Sequence, residues 1–212
     1  MNQSPNQTQN SYDAVAANYA EQFRDEMRKK PFDRKMLDWL IEKNANLGTI
    51  CELGCGPGMI TGYLSEQGAT VCGIDLSAKM IEEARKQFPQ IRFEQGDMLD
   101  LKNVEDNSFG GIAAFYSIIH VSPERVGDAL REMRRVLIPG GVLLLTFHIG
   151  SETRHLDEWF EKKVNLDFHF FEREEMKTLL TEAGFSLEET IERDPYAEVE
   201  VQTRRAYIFA RK

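Results

Sequence analysis

The sequence predicts an α/β fold: an open, doubly wound, mostly parallel sheet with helices on both faces. Three observations carry that expectation. Strand-like and helix-like patterns alternate from about Thr49 onward, as they do when crossover helices join parallel strands. The stretch ICELGCGPGMITGYL, Ile50 to Leu64, ends an apolar run on glycines that lead into a helical pattern. Polar residues then recur at the carboxyl ends of successive strands, where open sheets bind their ligands. With 212 residues and 42% hydrophobic content the chain can bury one sizeable core. A single domain over 11–212 is expected, after a disordered tail over 1–10.

Two amphipathic helices precede the first strand, roughly Tyr12 to Glu26 and Pro31 to Glu42, as an N-terminal lid or layer over 11–45. The first strand, Thr49 to Leu53, passes through the glycines into a helix from about Pro57 to Gln67, because proline suits a first helical turn and Gly68 its end. The second strand, Thr70 to Ile74, ends in Asp75; Ser77 caps a helix that Pro89 stops after Phe88. A third strand, Ile91 to Gln95, runs into GDMLDL, and a fourth, GIAAFYS, into IIHVSPE. Pro123 opens the next helix, and the turn PGG starts a fifth strand, Val142 to His148. Residues 149–172 are rich in aromatics and charges without a clean period, and read as a cap or insertion. A helix from Glu172 to Ala183 and two strands, Phe185 to Arg193 and Arg204 to Ala210, complete the chain; the strands suit antiparallel pairing at one edge.

Composition removes several classes of function. The formal net charge of -9 opposes broad contact with nucleic acid, which draws its affinity from clustered Lys and Arg. The basic pairs Lys29-Lys30, Arg134-Arg135 and Arg204-Arg205 are scattered and read as solvated faces. Cys51, Cys55 and Cys72 have neither zinc-site nor disulfide-framework spacing, which fits a reducing compartment. MNQSPNQTQN lacks the charged and apolar regions of a signal peptide, and VLIPGGVLLLTFHI is too broken to span a bilayer. A cytoplasmic protein with no membrane partner is expected.

The glycine loop narrows the ligand. A dinucleotide fingerprint needs G-x-G-x-x-G, with pyrophosphate over the helix N-terminus. Here Gly54, Gly56 and Gly58 make G-x-G-x-G, Met59 stands in place of the third fingerprint glycine, and Pro57 removes an N–H donor. Asp75, at the tip of the second strand, suits a pair of ribose hydroxyls. Asp97 with Met98 offers an acceptor for an exocyclic amine beside an apolar contact for a purine. Together these ask for an adenosine that carries something other than pyrophosphate.

Those residues resemble the class I S-adenosylmethionine-dependent methyltransferases, in particular the small-molecule branch, over roughly Tyr12 to Lys212. The matching parts are the E-x-G-x-G-x-G loop from Glu52 to Gly58, GIDLSAKMI with Asp75, GDMLDL with Asp97 and Met98, and FYSIIHV after the fourth strand. The resemblance implies a Rossmann-like, seven-stranded sheet with the last strand antiparallel. It implies S-adenosylmethionine across the strand tips, leaving as S-adenosylhomocysteine. Its contacts would be Glu52, Gly54, Cys55 and Gly56 in the loop; Asp75, Leu76 and Met80 after the second strand; Gly96, Asp97 and Met98 after the third; and Tyr116 and Ser117 after the fourth. It also suggests that SYDAVAANY, with Tyr12 and Tyr19, closes over the methionine end.

Methyl transfer from a sulfonium is an in-line displacement, so positioning supplies most of the catalysis and a base is needed only where the acceptor must lose a proton. His120, just past the fourth strand, is the leading base; the competing reading is a histidine that positions the loop before Pro123. His148, at the tip of the fifth strand, either joins the catalytic pocket or ends the strand. Acceptor contacts are expected from His120, His148, Phe23, Trp159, Phe168 and Phe170, which suit an apolar or aromatic metabolite. No metal is expected, because YSIIHV and TFHIG lack hard oxygen ligands where the magnesium-dependent branch places them. The acceptor is expected to be a small molecule, and the protein a monomer or homodimer. Two other readings stay open: a non-catalytic S-adenosylmethionine-binding regulator, and a nicotinamide (NAD) oxidoreductase, which Pro57 and Met59 oppose.

Overall fold

A computed structural model describes residues 5–212. Its frame is a seven-stranded sheet in the order β3-β2-β1-β4-β5-β9-β8. The strands are β1 (Ile50–Leu53), β2 (Val71–Asp75), β3 (Arg92–Gln95), β4 (Phe109–Phe115), β5 (Leu137–His148), β8 (Ser186–Arg193) and β9 (Arg205–Arg211). Strands β1 to β5 pair in parallel, while β9 runs antiparallel to both β5 and β8. The doubly wound, Rossmann-like sheet with its last strand antiparallel is therefore present, and β9 lies inside the sheet with β8 at the edge.

Two large cores follow from the alternation of side chains across the sheet, beside a smaller cluster of Cys55, Ile81, Ala84, Ile91 and Phe93. On one face, α6 (Val126–Val136) and α7 (Arg173–Glu182) bury Leu130, Met133, Met176 and Leu180 against Leu143, Leu145 and Ile208. On the other, α3 (Pro31–Lys43) and α4 (Met59–Glu66) cover Ile50, Leu144, Tyr207 and Phe209. Helix α5 (Ala78–Gln87) carries the predicted cap, with Ser77 Oγ accepting the Met80 N–H at 3.0 Å. Among the described residues no helix is long and apolar enough to cross a membrane.

Four expectations need correction. Pro5–Asn10 is not a tail: α1 runs Pro5–Gln22, opened by a proline suited to a first turn and seated by Thr8 and Ser11, which are buried. Residues 1–4 lie outside the described residues. Helix α4 starts at Met59 rather than Pro57, because Gly58 takes φ +84° and donates its N–H to Cys55 O, closing one more turn before the helix. Strand β5 begins at Leu137, before PGG, as Gly140 at φ +76° absorbs an irregularity and pairing resumes through Lys212. Part of the expected cap is an antiparallel hairpin, β6 (Thr153–Trp159) with β7 (Lys162–His169), whose register shifts between Leu156 and Glu158. Its two-residue turn puts Phe160 and Glu161 at φ +53° and +59°, a geometry usually signalled by Asn or Gly, so the sequence gives no hairpin cue.

Candidate active site

The glycine loop sits at the carboxyl end of β1, where a cavity opens along the strand tips. Gly54 takes φ +75°, and a Cβ there would lie 2.3 Å from Ser117 Cβ, so no side chain fits between β1 and the loop after β4. Gly56, at φ +51°, faces open space. The loop's donors are already committed: Gly54 and Cys55 N–H both go to Ile74 O, Gly56 N–H to Asp75 Oδ2 at 2.7 Å, and Gly58 N–H to Cys55 O. Pro57 has none. A pyrophosphate would find no free N–H over these five residues, which removes the basis for dinucleotide binding here.

The loop offers acceptors instead. Asp75 takes the Gly56 N–H on one oxygen and the Ser77 N–H on the other, keeping a lone pair on each for a ligand. Burial raises its pKa to about 6 against those two bonds. Glu52 binds the Thr61 N–H and hydroxyl through Oε2 alone, so Oε1 lacks a partner among the described residues. Burial lifts its pKa to about 8. Asp97 Oδ1 accepts the Leu99 N–H at 2.9 Å, leaving Oδ2 beside Met98. The cavity therefore presents one buried and two half-buried carboxylates, each incompletely paired, an arrangement that favours a cationic, donor-rich ligand.

Helix α1 closes this cavity. Asp13 Oδ1 accepts from Ser77 Oγ and the Lys79 N–H at the start of α5, and Ser11 exchanges hydrogen bonds with the Asn165 backbone on β7. These ties hold Tyr12 and Tyr19 in the cavity wall. Tyr12 Oη lies 2.6 Å from His120 Nε2, and His120 Nδ1 lies 3.1 Å from Asp167 O. A carbonyl can only accept, so the proton is on Nδ1 and Tyr12 donates to Nε2. Burial pushes the His120 pKa down to about 4 and the Tyr12 pKa well up, so both remain neutral near pH 7.

The comparisons with known proteins agree with this geometry. The family model for a methyltransferase domain matches residues 50–141. The chain is a class I S-adenosylmethionine-dependent methyltransferase. A protein named an uncharacterized methyltransferase from Anoxybacillus flavithermus is 28% identical over 195 residues, covering 89% of this chain and 79% of that one. A Drosophila melanogaster tRNA N(3)-methylcytidine methyltransferase is 30% identical over 163 residues, 68% of this chain and 50% of its own length. The fold is shared with 1,6-didemethyltoxoflavin-N1-methyltransferase of Burkholderia thailandensis, at a TM-score of 0.73 and 19% identity, covering 99% of this chain and 91% of that one.

In this methyltransferase all the residues expected around the cofactor line the one cavity, including Cys55, Leu76, Met80, Gly96, Tyr116 and Ser117. The expected acceptor wall is placed differently. Of its members only His120 lines the cavity; Phe23, His148, Trp159, Phe168 and Phe170 do not. Trp159 packs edge-on against Tyr12, Tyr19 and Phe23, and Phe168 against His120, so these rings support the wall from behind. His148 is stacked between Tyr116 and Phe170, with Nδ1 2.8 Å from Thr203 Oγ1, and burial lowers its pKa to about 3. Its ring packs outside the cavity lining as a neutral group, whereas the expectation places it in the pocket.

Sequence reasoning missed the far end of the cavity, lined by Glu26, Met27, Lys30, Asp33 and Phe115. Lys30 pairs with Glu26 and approaches Glu200, while Asp33 accepts from Arg193 and Tyr207. The weak cue was KKPFDR, a charged start to an amphipathic helix, whose partners lie far along the chain.

Proposed function

We propose that the chain transfers a methyl group to a small molecule. In this reading adenine lies against Asp97 and Met98, the ribose hydroxyls on Asp75, and the amino-acid end of S-adenosylmethionine beneath Tyr12 and Tyr19, toward Glu52 and the Lys30–Glu26 pair. The observation that carries it is the convergence of three carboxylates with open lone pairs on a glycine loop that has no spare N–H. When bound, the cofactor supplies an electrophilic methyl group. The protein's own contribution is placement: α1 excludes water, and His120 acts as a positioning residue, its Nε2 accepting the Tyr12 hydroxyl hydrogen bond so that the phenol oxygen is fixed in the wall.

A small acceptor is supported by enclosure, since Thr8, Tyr12 and Tyr19 of α1 cover the cavity, and by 35 acidic against 26 basic residues. The mixed lining of Met27, Ile60 and Phe115 with Glu26, Lys30 and Asp33 favours an acceptor with both apolar surface and a polar group over a purely apolar one. Three free cysteines fit a cytoplasmic location. Calorimetry with S-adenosylmethionine, S-adenosylhomocysteine and NADH tests the reading. Binding of both sulfur nucleosides and not of NADH is expected, and failure of both to bind folded, cofactor-free protein would refute it.

A further inference from the structure

Tyr116 occupies the cavity wall at the tip of β4 in a conformation few residues adopt. Its φ is +55°, held by an N–H bond to Thr146 Oγ1 at 2.8 Å. A non-glycine residue there costs free energy, and such strain concentrates where a side chain must be aimed. What Tyr116 reaches is a chain of hydrogen bonds: its Oη is 2.8 Å from Tyr207 Oη, and Tyr207 is bonded to Asp33 Oδ1.

The direction of that chain follows from counting donors. Tyr207 Oη accepts the Arg193 Nε–H at 2.8 Å and must donate its own proton to Asp33, which as a carboxylate can only accept. Its remaining lone pair takes the proton of Tyr116. Tyr116 Oη therefore has no donor among the described residues pointing at it, and only lone pairs to offer a ligand. The same count applied to Tyr12 leaves its oxygen in the same state. Two phenols of the cavity wall thus spend their protons on protein partners and keep only lone pairs for a ligand.

We propose that Tyr116 is a catalytic residue that takes the proton from an O–H or N–H nucleophile and relays it through Tyr207 to Asp33. The inference rests on the methyltransferase reading and names the substrate class: a small phenol, enol or amine that must lose a proton, rather than a thioether or a tertiary amine. As the nucleophile's lone pair forms the new bond to the methyl carbon, the C–S bond breaks with its electron pair going to sulfur. The nucleophile's proton passes to Tyr116 Oη, the Tyr116 proton to Tyr207 Oη, and the Tyr207 proton to Asp33 Oδ1. The sulfonium's positive charge and Asp33's negative charge disappear together, so the buried site stays electrically balanced without forming a phenolate. Arg193 and Glu200, paired behind Asp33, hold the end of the relay in place.

The test uses the full chain with Tyr116→Phe and Tyr207→Phe; Asp33→Asn alone would be ambiguous, because it leaves Arg193 short of a partner. S-adenosylhomocysteine should bind wild type and Tyr207→Phe alike, and its affinity for Tyr116→Phe, measured separately, sets the concentration that saturates that variant. Phenol and anisole are then titrated into protein saturated with S-adenosylhomocysteine. Wild type should favour phenol by about tenfold, the value of one buried hydrogen bond, and Tyr116→Phe should lose that preference. Labelled methyl transfer to a panel of primary amines and phenols of graded acidity gives the second readout. The relay requires the defect in Tyr207→Phe to grow as the phenol becomes less acidic and to shrink for 4-nitrophenol in mildly alkaline buffer. No preference for phenol in wild type, an equal defect across the series, or no transfer to any phenol or amine while S-adenosylhomocysteine binds would each overturn the proposal. Loss of S-adenosylhomocysteine binding by wild type would instead overturn the methyltransferase reading beneath it.

Discussion

The sheet has two halves that treat buried charge in opposite ways. On the β1–β2–β3 side, Glu52 is buried and Asp75 half-buried, each with few partners, and desolvation raises their pKa values to about 8 and about 6. On the β4–β9–β8 side burial would also raise Glu200, yet two bonds from Arg193, the Tyr196 N–H and nearby Arg205 and Lys30 hold it at about 2. The first set of carboxylates is unfinished without a ligand, while the second is already satisfied by the protein. Burial alone does not mark a binding group; burial with missing partners does.

Breaking the satisfied half should give the largest effect. Arg193→Met strands Asp33 and Glu200 without their shared cation, and removing one partner of a buried network costs about 3–5 kcal/mol. Urea unfolding of the ligand-free protein would read that loss, and an unchanged midpoint would mean that the network contributes little. In the unfinished half, Asp75→Ala should weaken S-adenosylhomocysteine binding by roughly a hundredfold or more, since two charge-assisted bonds of roughly 1.5–3 kcal/mol each are removed. Unchanged affinity by calorimetry would remove Asp75 from the ribose site.

The pH dependence sharpens the same contrast. A cationic, donor-rich ligand favours ionised Glu52 and Asp75, so binding should release protons and affinity should increase with pH through about 6 and up to about 8. The ligand-free fold has the opposite sign from these groups: acids whose folded pKa is raised give stability at low pH that is lost as pH rises through those values. Calorimetry in buffers of different ionisation enthalpy would count the protons, and uptake instead of release would contradict the assignment. The smallest effect is expected at His148, where His148→Phe should leave S-adenosylhomocysteine affinity unchanged because the ring packs between Tyr116 and Phe170 outside the cavity. A marked loss would return His148 to the site.

The two halves also differ in how readily they can be read. Glu52, Gly54, Gly56, Asp75 and Asp97 lie at strand ends within one short stretch, and each is placed by the strand before it. Tyr12 and Tyr19 were legible through helical spacing and resemblance. For the aromatic residues Trp159, Phe168 and Phe170, type and position along the chain do not tell which side of a wall a ring occupies, and all three lie outside the cavity lining. The hairpin that carries two of them was hidden by a turn of Phe160 and Glu161.

The sequence by itself determined the mostly parallel sheet, the succession of its strands along the chain through β5, and the strand-end residues that gather at one cavity. Those depend on hydrophobic period, on glycine where backbone must run bare, and on acids one strand apart. Only the tertiary structure decided the far end of the cavity, because Asp33, Tyr116 and Tyr207 meet across separations as large as 174 residues. Such contacts leave no periodic trace: they form when α3 packs on the sheet and β9 inserts beside β5, which sets three distant side chains against one another.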